Sequence, residues 1–177
     1  MKKVEHGKTF DRNAANPPAF EIFHNTVTEG YPEHWHTAIE IIMPTRGEYE
    51  VVVGKDSYNL KEGDIIMINS GVVHGMRFVS QGERIVMLVE PGCVENQEEM
   101  ETIFLRLPAI YFKKEDEEDP FYLFLRSQIL ELVREYDNEG AVMTHRICTG
   151  LKELFSEFGR KGFSDANAQN TFGAMKQ

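Results

Sequence analysis

Three residues that bind metals and polar groups lie close together near the start of the chain: His34, His36 and Glu40, with Ala38 between them. In an extended segment side chains alternate between faces, so these three would share one face. Neighbours at i and i+2 stand about 7 Å apart along a strand, near enough to converge on one ion or one polar ligand. Imidazole and carboxylate together suit Fe, Mn, Ni, Cu or Zn, and two histidines with one carboxylate match open-site iron centres. A fourth donor must come from another strand. His74 is placed to supply it, at the start of a strand that returns after the apolar run 65–68 and a turn at Gly71.

These four residues are therefore expected to hold a metal or a bound small molecule. Arg46, Tyr49 and Tyr58 are further polar groups that such a molecule would meet. No extra acid or base stands out, so no catalytic residue is assigned. Trp35 falls on the opposite face by parity and is expected to pack against an N-terminal arm or a helix. His24 reads as a hydrogen-bonded structural residue, and His6 and His145 as surface or packing residues.

The elements that must position these groups follow from periodicity. Residues 1–19 are polar, include Pro17-Pro18 and read as an arm. From 20 to about 92 short apolar, often β-branched stretches alternate with Gly, Asp, Asn and Ser, the pattern of a many-stranded antiparallel fold. Strands are predicted at about 20–27, 34–43, 48–53, 57–60, 64–68, 73–79 and 83–89. Gly54 and Asp56 mark a hairpin turn, and Gly63-Asp64 a second turn.

From 97 to 162 the apolar spacing becomes helical. A short helix is predicted over 97–107, ending near Pro108. Asp119-Pro120 is a helix start, with Asp as cap and Pro at the first position. Phe121, Leu125, Ile129, Leu132 and Tyr136 then form one seam, and Met143, Ile147, Leu151, Leu154 and Phe158 a second, giving a helical hairpin. Gly159 and Gly162 are expected to stop the second helix, leaving 163–177 as a flexible tail. Phe124, Val133 and Phe155 lie off or beside these seams. That surplus is the basis for expecting a homodimer through the C-terminal helices.

Composition narrows the function classes. The 177 residues are 41% apolar with a net charge of −10, which suits one globular domain or one with an appendage. A nucleic-acid-binding face is normally basic, because affinity rests on phosphate neutralisation. Here the cations are scattered and 115–119 is wholly acidic, so no direct nucleic-acid binding is expected. No run approaches the ~20 apolar residues of a membrane span, and no secretory signal opens the chain, so a cytoplasmic location is expected. Cys93 and Cys148 read as two reduced thiols packed as small apolar groups.

The motif spacing resembles the cupin superfamily. His34, His36, Glu40 and Gly47 keep the order of its first motif, with Gly30 as the leading glycine, nearer His34 than the pattern has it. Gly63, Gly71 and His74 match the second motif, with Asn69 where proline is usual and Phe78 where asparagine is usual. Fifteen residues separate the two motifs. The resemblance implies a mainly β fold, a cupin double-stranded β-helix or jelly-roll barrel, followed here by the α-helical hairpin. A cupin barrel with such a hairpin is most similar to the N-terminal ligand-sensing domain of AraC-type transcription regulators, over about 20–160. That likeness implies a sensing and dimerising module, cut from a longer DNA-binding protein or standing alone. It would take a sugar or other polar metabolite in the barrel, with a divalent transition metal as possible cofactor. The alternative is a stand-alone metal-dependent cupin enzyme: a dioxygenase, isomerase or decarboxylase.

Overall fold

The computed structural model describes residues 19–26, 30–93, 109–114, 118–138 and 142–166, with backbone only for 158–166. The arm to residue 18, the helix predicted over 97–107 and the Phe158 side chain lie outside these residues. The strands are β1 (Phe20–Asn25), β2 (Tyr31–His34), β3 (Ile39–Arg46), β4 (Tyr49–Val53), β5 (Asp56–Leu60), β6 (Ile65–Ile68), β7 (His74–Phe78), β8 (Glu83–Val89) and β9 (Ala109–Phe112). Two helices follow, α1 (Pro120–Asp137) and α2 (Met143–Ala166).

The strands form two antiparallel sheets. One has the order β1-β8-β3-β6-β9 and the other β2-β7-β4-β5. The fold is a mainly β, jelly-roll-like architecture of two antiparallel sheets followed by two helices. Alternation decides what each face does. Inward from the two sheets, Ile42, Tyr49, Val51, Val53, Leu60, Ile66, Ile68 and Met76 form one core. On the outer face of the five-stranded sheet, Ile39, Ile41, Met43, Ile65, Met67, Ile85 and Met87 form a second core with the helices. Strands β3, β6 and β8 are thus buried on both sides, which is why their sequences run apolar without alternating. Each fully buried aliphatic side chain contributes about 1.5–3 kcal/mol.

The helices supply Tyr122, Leu125, Ile129 and Leu132 from α1, and Ile147, Leu151, Leu154 and Phe155 from α2. Asp119 caps α1, its Oδ1 accepting from the Phe121 N–H at 2.9 Å. Phe155 is fully buried in this core, Val133 packs against it, and Phe124 stacks on Phe121. Of the residues expected to face a second subunit, Phe155 and Val133 pack within the chain, whereas Phe124 is half-buried. The α2 backbone also runs through Gly159 and Gly162 to Ala166. A glycine inside a helix costs about 1 kcal/mol relative to alanine, and by itself that does not end a helix.

Strand β9 was not expected. It pairs with β6, Ile110 opposite Met67, and extends the sheet on which the helices sit. A four-residue strand beside an acidic run carries too little alternation to read from sequence. It is fastened by Asp64, whose carboxylate accepts from Lys61 N–H, Tyr111 Oη and Lys114 N–H at 2.9, 2.7 and 2.8 Å. Tyr122 Oη donates to the neighbouring Gly63 carbonyl at 2.8 Å, which ties α1 to the same turn.

Candidate functional site

The segment 34–43 is not one strand. His34 ends β2 in the four-stranded sheet, and Glu40 lies in β3 of the five-stranded sheet. The chain crosses between sheets at 35–38, so alternation along a single strand is not what aligns the histidines. The crossing is held where the Gly71 N–H donates to the His36 carbonyl at 2.8 Å. The Glu90 carboxylate accepts from Thr37 Oγ1 at 3.1 Å. Glycine is required just upstream: a Cβ on Gly30 would stand 2.4 Å from the Met76 carbonyl oxygen.

By this different route the four side chains do meet. His34 and His74 are register partners across β2 and β7, with ring centres 4.5 Å apart. The His36 ring lies 4.9 Å from that of His74 and 5.6 Å from that of His34. One donor atom from each of His34, His36, Glu40 and His74 lies within 4.8 Å of all the others. His36, Glu40 and His74 are buried and His34 is half-buried.

The imidazoles are held in one tautomer by the backbone. His34 Nδ1 meets the Pro32 carbonyl at 2.9 Å, His36 Nδ1 the Ala38 carbonyl at 2.9 Å, and His74 Nδ1 the Val72 carbonyl at 2.8 Å. A carbonyl only accepts, so each Nδ1 carries the proton. Such a bond to the remote nitrogen is the usual support of a metal-ligating histidine. His36 Nε2 and His74 Nε2 then face the same Glu40 Oε2 at 2.9 and 3.1 Å. A lone pair and a carboxylate oxygen do not attract, so each contact requires a positive centre: a proton on Nε2 or a metal ion shared by the donors. Burial pushes the Glu40 carboxyl up, but hydrogen bonds from His36 and His74, and their charge, outweigh this and bring it to about 2. Burial lowers His34, partly opposed by its bond to Pro32, so this ring favours the neutral, ligating form. Three imidazole nitrogens and one carboxylate oxygen, tautomers fixed and turned on one another, fit a divalent transition metal.

Arg46 and Tyr49 stand apart from this cluster. Arg46 lies six residues along β3 from Glu40, about 20 Å of strand, and Tyr49 lies four residues along β4 from the register partner of His74, about 13 Å. Arg46 is largely exposed and pairs with Glu83 at 3.1 Å. Tyr49 is buried inside the barrel, and its Oη has no partner among the described residues. Tyr58 is half-buried, with its ring against Tyr111. His24 lies 3.5 Å from Thr45 Oγ1, and His145 is exposed.

Arg84 was missed. It is fully buried, with its guanidinium carbon 4.8 Å from the Tyr49 ring centre and 5.6 Å from that of Tyr31. Tyr31 Oη in turn accepts from Asn25 Nδ2 at 3.0 Å. The signal was alternation along β8, which puts Arg84, Val86 and Leu88 on one face. Trp35 is 58% exposed, as is Val73 at 45% just before β7; the arm on which Trp35 was expected to pack lies outside the described residues.

Residues 25–90 match the family described as "Cupin domain". No curated protein matches the sequence. Among solved structures, ToxT from Vibrio cholerae O395 aligns with a TM-score of 0.53 at 12% identity, covering 89% of this chain and 58% of ToxT. Apo ToxT K231A from V. cholerae strain SCE256 gives 0.52 at 14% identity, covering 86% of this chain and 58% of that one. A protein of unknown function from Streptococcus pyogenes gives 0.40 at 17% identity, covering 51% of this chain and 94% of its own. This chain therefore spans under three-fifths of the length of the ToxT chains that it matches. At these identities the likeness concerns the fold, and with ToxT it extends over the helices as well as the barrel.

Proposed function

We propose that this chain is a ligand-sensing cupin module of the AraC type, whose His34, His36, Glu40 and His74 hold a divalent metal or the polar end of a small molecule. One observation carries the reading. Strand β3 turns Glu40 toward the site, while the adjacent Ile39 and Ile41 lie in the core shared with α1 and α2. A ligand that shifts β3 at the site moves the surface on which the helices rest, and a packed core passes on such shifts in discrete steps. When bound, the ion would supply a Lewis-acidic centre for a ligand oxygen or nitrogen. The chain's own groups fix the imidazole tautomers, keep Glu40 ionised, and present Trp35 and Val73 at the rim to an apolar part of the ligand.

A fatty-acid-bound ToxT structure, with a TM-score of 0.50, adds unsaturated fatty acids to the sugars and polar metabolites worth testing. Dimerisation would use Leu123 and Leu130, exposed two turns apart on one stripe of α1. Among the described residues no helix is long and apolar enough to cross a membrane, and we place the module in the cytoplasm with a DNA-binding partner domain.

The test is calorimetric titration of metal-free and metal-loaded protein with sugars, organic acids and fatty acids, followed by hydrogen exchange on the helices. Saturable binding with changed exchange in α1 or α2 supports sensing. No binder in either form, or metal-dependent turnover of a bound compound with unchanged helices, removes it in favour of a cupin enzyme.

A further inference from the structure

The two cysteines of the chain, 55 residues apart, bring their Sγ atoms to 3.4 Å. Cys93 closes the short 3₁₀ turn Pro91–Cys93 that follows β8, and Cys148 lies on α2 beside the buried Ile147. Both thiols are half-buried at the edge of the core between sheet and helices, so a small oxidant reaches them from solvent. A disulfide needs the sulfurs at about 2.05 Å, a closure of about 1.4 Å that side-chain rotation and a small move of the turn supply. The turn is short, and its Gly92 is exposed with nothing within 4 Å of a Cβ placed there, so it has room to move.

We propose that Cys93 and Cys148 form a reversible intrachain disulfide under a peroxide oxidant, covalently joining the end of β8 to α2. One thiolate attacks the peroxide and becomes a sulfenic acid, releasing one water. The second thiol attacks that sulfur, the S–S bond forms, and a second water leaves. Two thiols and one hydrogen peroxide give one disulfide and two waters, and a dithiol reductant reverses the change. Burial, and next the Cys148 thiol beside it, push the Cys93 thiol up to about 12, with Lys152 opposing. The reaction is therefore slow at neutral pH and quickens as the pH rises.

The link would act on the site from behind. Glu90, one residue after β8, receives the Thr37 hydroxyl next to His36, and the Cys93 N–H donates to the Glu90 carbonyl at 2.8 Å. Oxidation would pin this corner to the helical layer. It requires no particular ligand and stands whether the module senses or catalyses.

The experiment treats the full chain with hydrogen peroxide under native conditions, then blocks free thiols and maps the digested protein by mass spectrometry. Expected are a monomeric product lacking two hydrogens, a Cys93–Cys148 cross-linked peptide, loss of both titratable thiols, their recovery with dithiothreitol, and a thermal midpoint higher by several degrees. C93S and C148S, each checked by circular dichroism for a native fold, should give no cross-link and no rise. Two thiols still free after oxidation, links only between molecules, or over-oxidation of one cysteine without a cross-link would each overturn the proposal.

Discussion

Replacing Glu40 with glutamine tests the centre of the site, because the amide copies the shape of the protonated carboxyl and removes only its charge. In the metal-free protein, Glu40 Oε2 is held by His36 and His74 at 2.9 and 3.1 Å, and the carboxyl falls from 4.5 to about 2. That lowering corresponds to about 3 kcal/mol in favour of the ionised form. E40Q forfeits this amount, a drop in thermal midpoint of about 6–12 °C for a chain of this size. The pH dependence has a definite sign. A carboxyl depressed on folding stabilises above its unfolded value, and the benefit is lost as pH falls from 4.5 toward 2. Wild type and E40Q should therefore differ most near neutral pH, begin to converge as the pH falls below about 4.5, and meet only toward about pH 2. Urea denaturation of chelator-treated protein across that range measures the gap. Equal midpoints near neutrality, or a gap that persists undiminished in acid, would refute the reasoning. With metal present, E40Q should also bind the ion at least about 10–100-fold more weakly.

The remaining expectations are simpler. Trp35 is the chain's one tryptophan and stands between His34 and His36, so Cu²⁺ should quench its fluorescence stoichiometrically, and His74→Ala should move the titration midpoint to higher metal; unquenched emission at saturation would count against metal at this site. Asp64→Ala removes an acceptor of three hydrogen bonds and should cost about 3 kcal/mol, read as a shifted urea midpoint, with α1 and β9 losing protection from hydrogen exchange first. Phe155→Ala, deep between the helices and the sheet, should cost about 3–5 kcal/mol by the same assay; a value under 1 would mean that α2 does not pack there in solution.

Much of this fold was legible because its cues are local. The glycines at 47, 54, 63 and 71, all at positive φ, mark turns where other residues are strained, and seven of the nine strands among the described residues lie within the predicted segments or nearly so. The single strand predicted over 34–43 hid a change of sheet, since nothing in Trp35-His36-Thr37-Ala38 looks like a break. The convergence was nevertheless anticipated, because donor types and spacing in the cupin motifs are tied to the site rather than to one strand's alternation. What could not be read was long-range pairing: β9 with β6, Asp64 with Lys114, and the approach of Cys93 to Cys148 each join segments about 45 to 55 residues apart. Arg84 was overlooked for another reason, since a lone cation in an apolar strand is easily taken for an edge residue although its parity points inward.

His34 and His74 come from one wall of the barrel and Glu40 from the other, with His36 on the span between them. An ion seated there would act as a rivet across the seam. It could leave only by shedding donors from both walls, and the walls could not part there while it holds them. A change elsewhere that loosens β2 or the 35–38 span should therefore speed metal loss without touching a single donor atom.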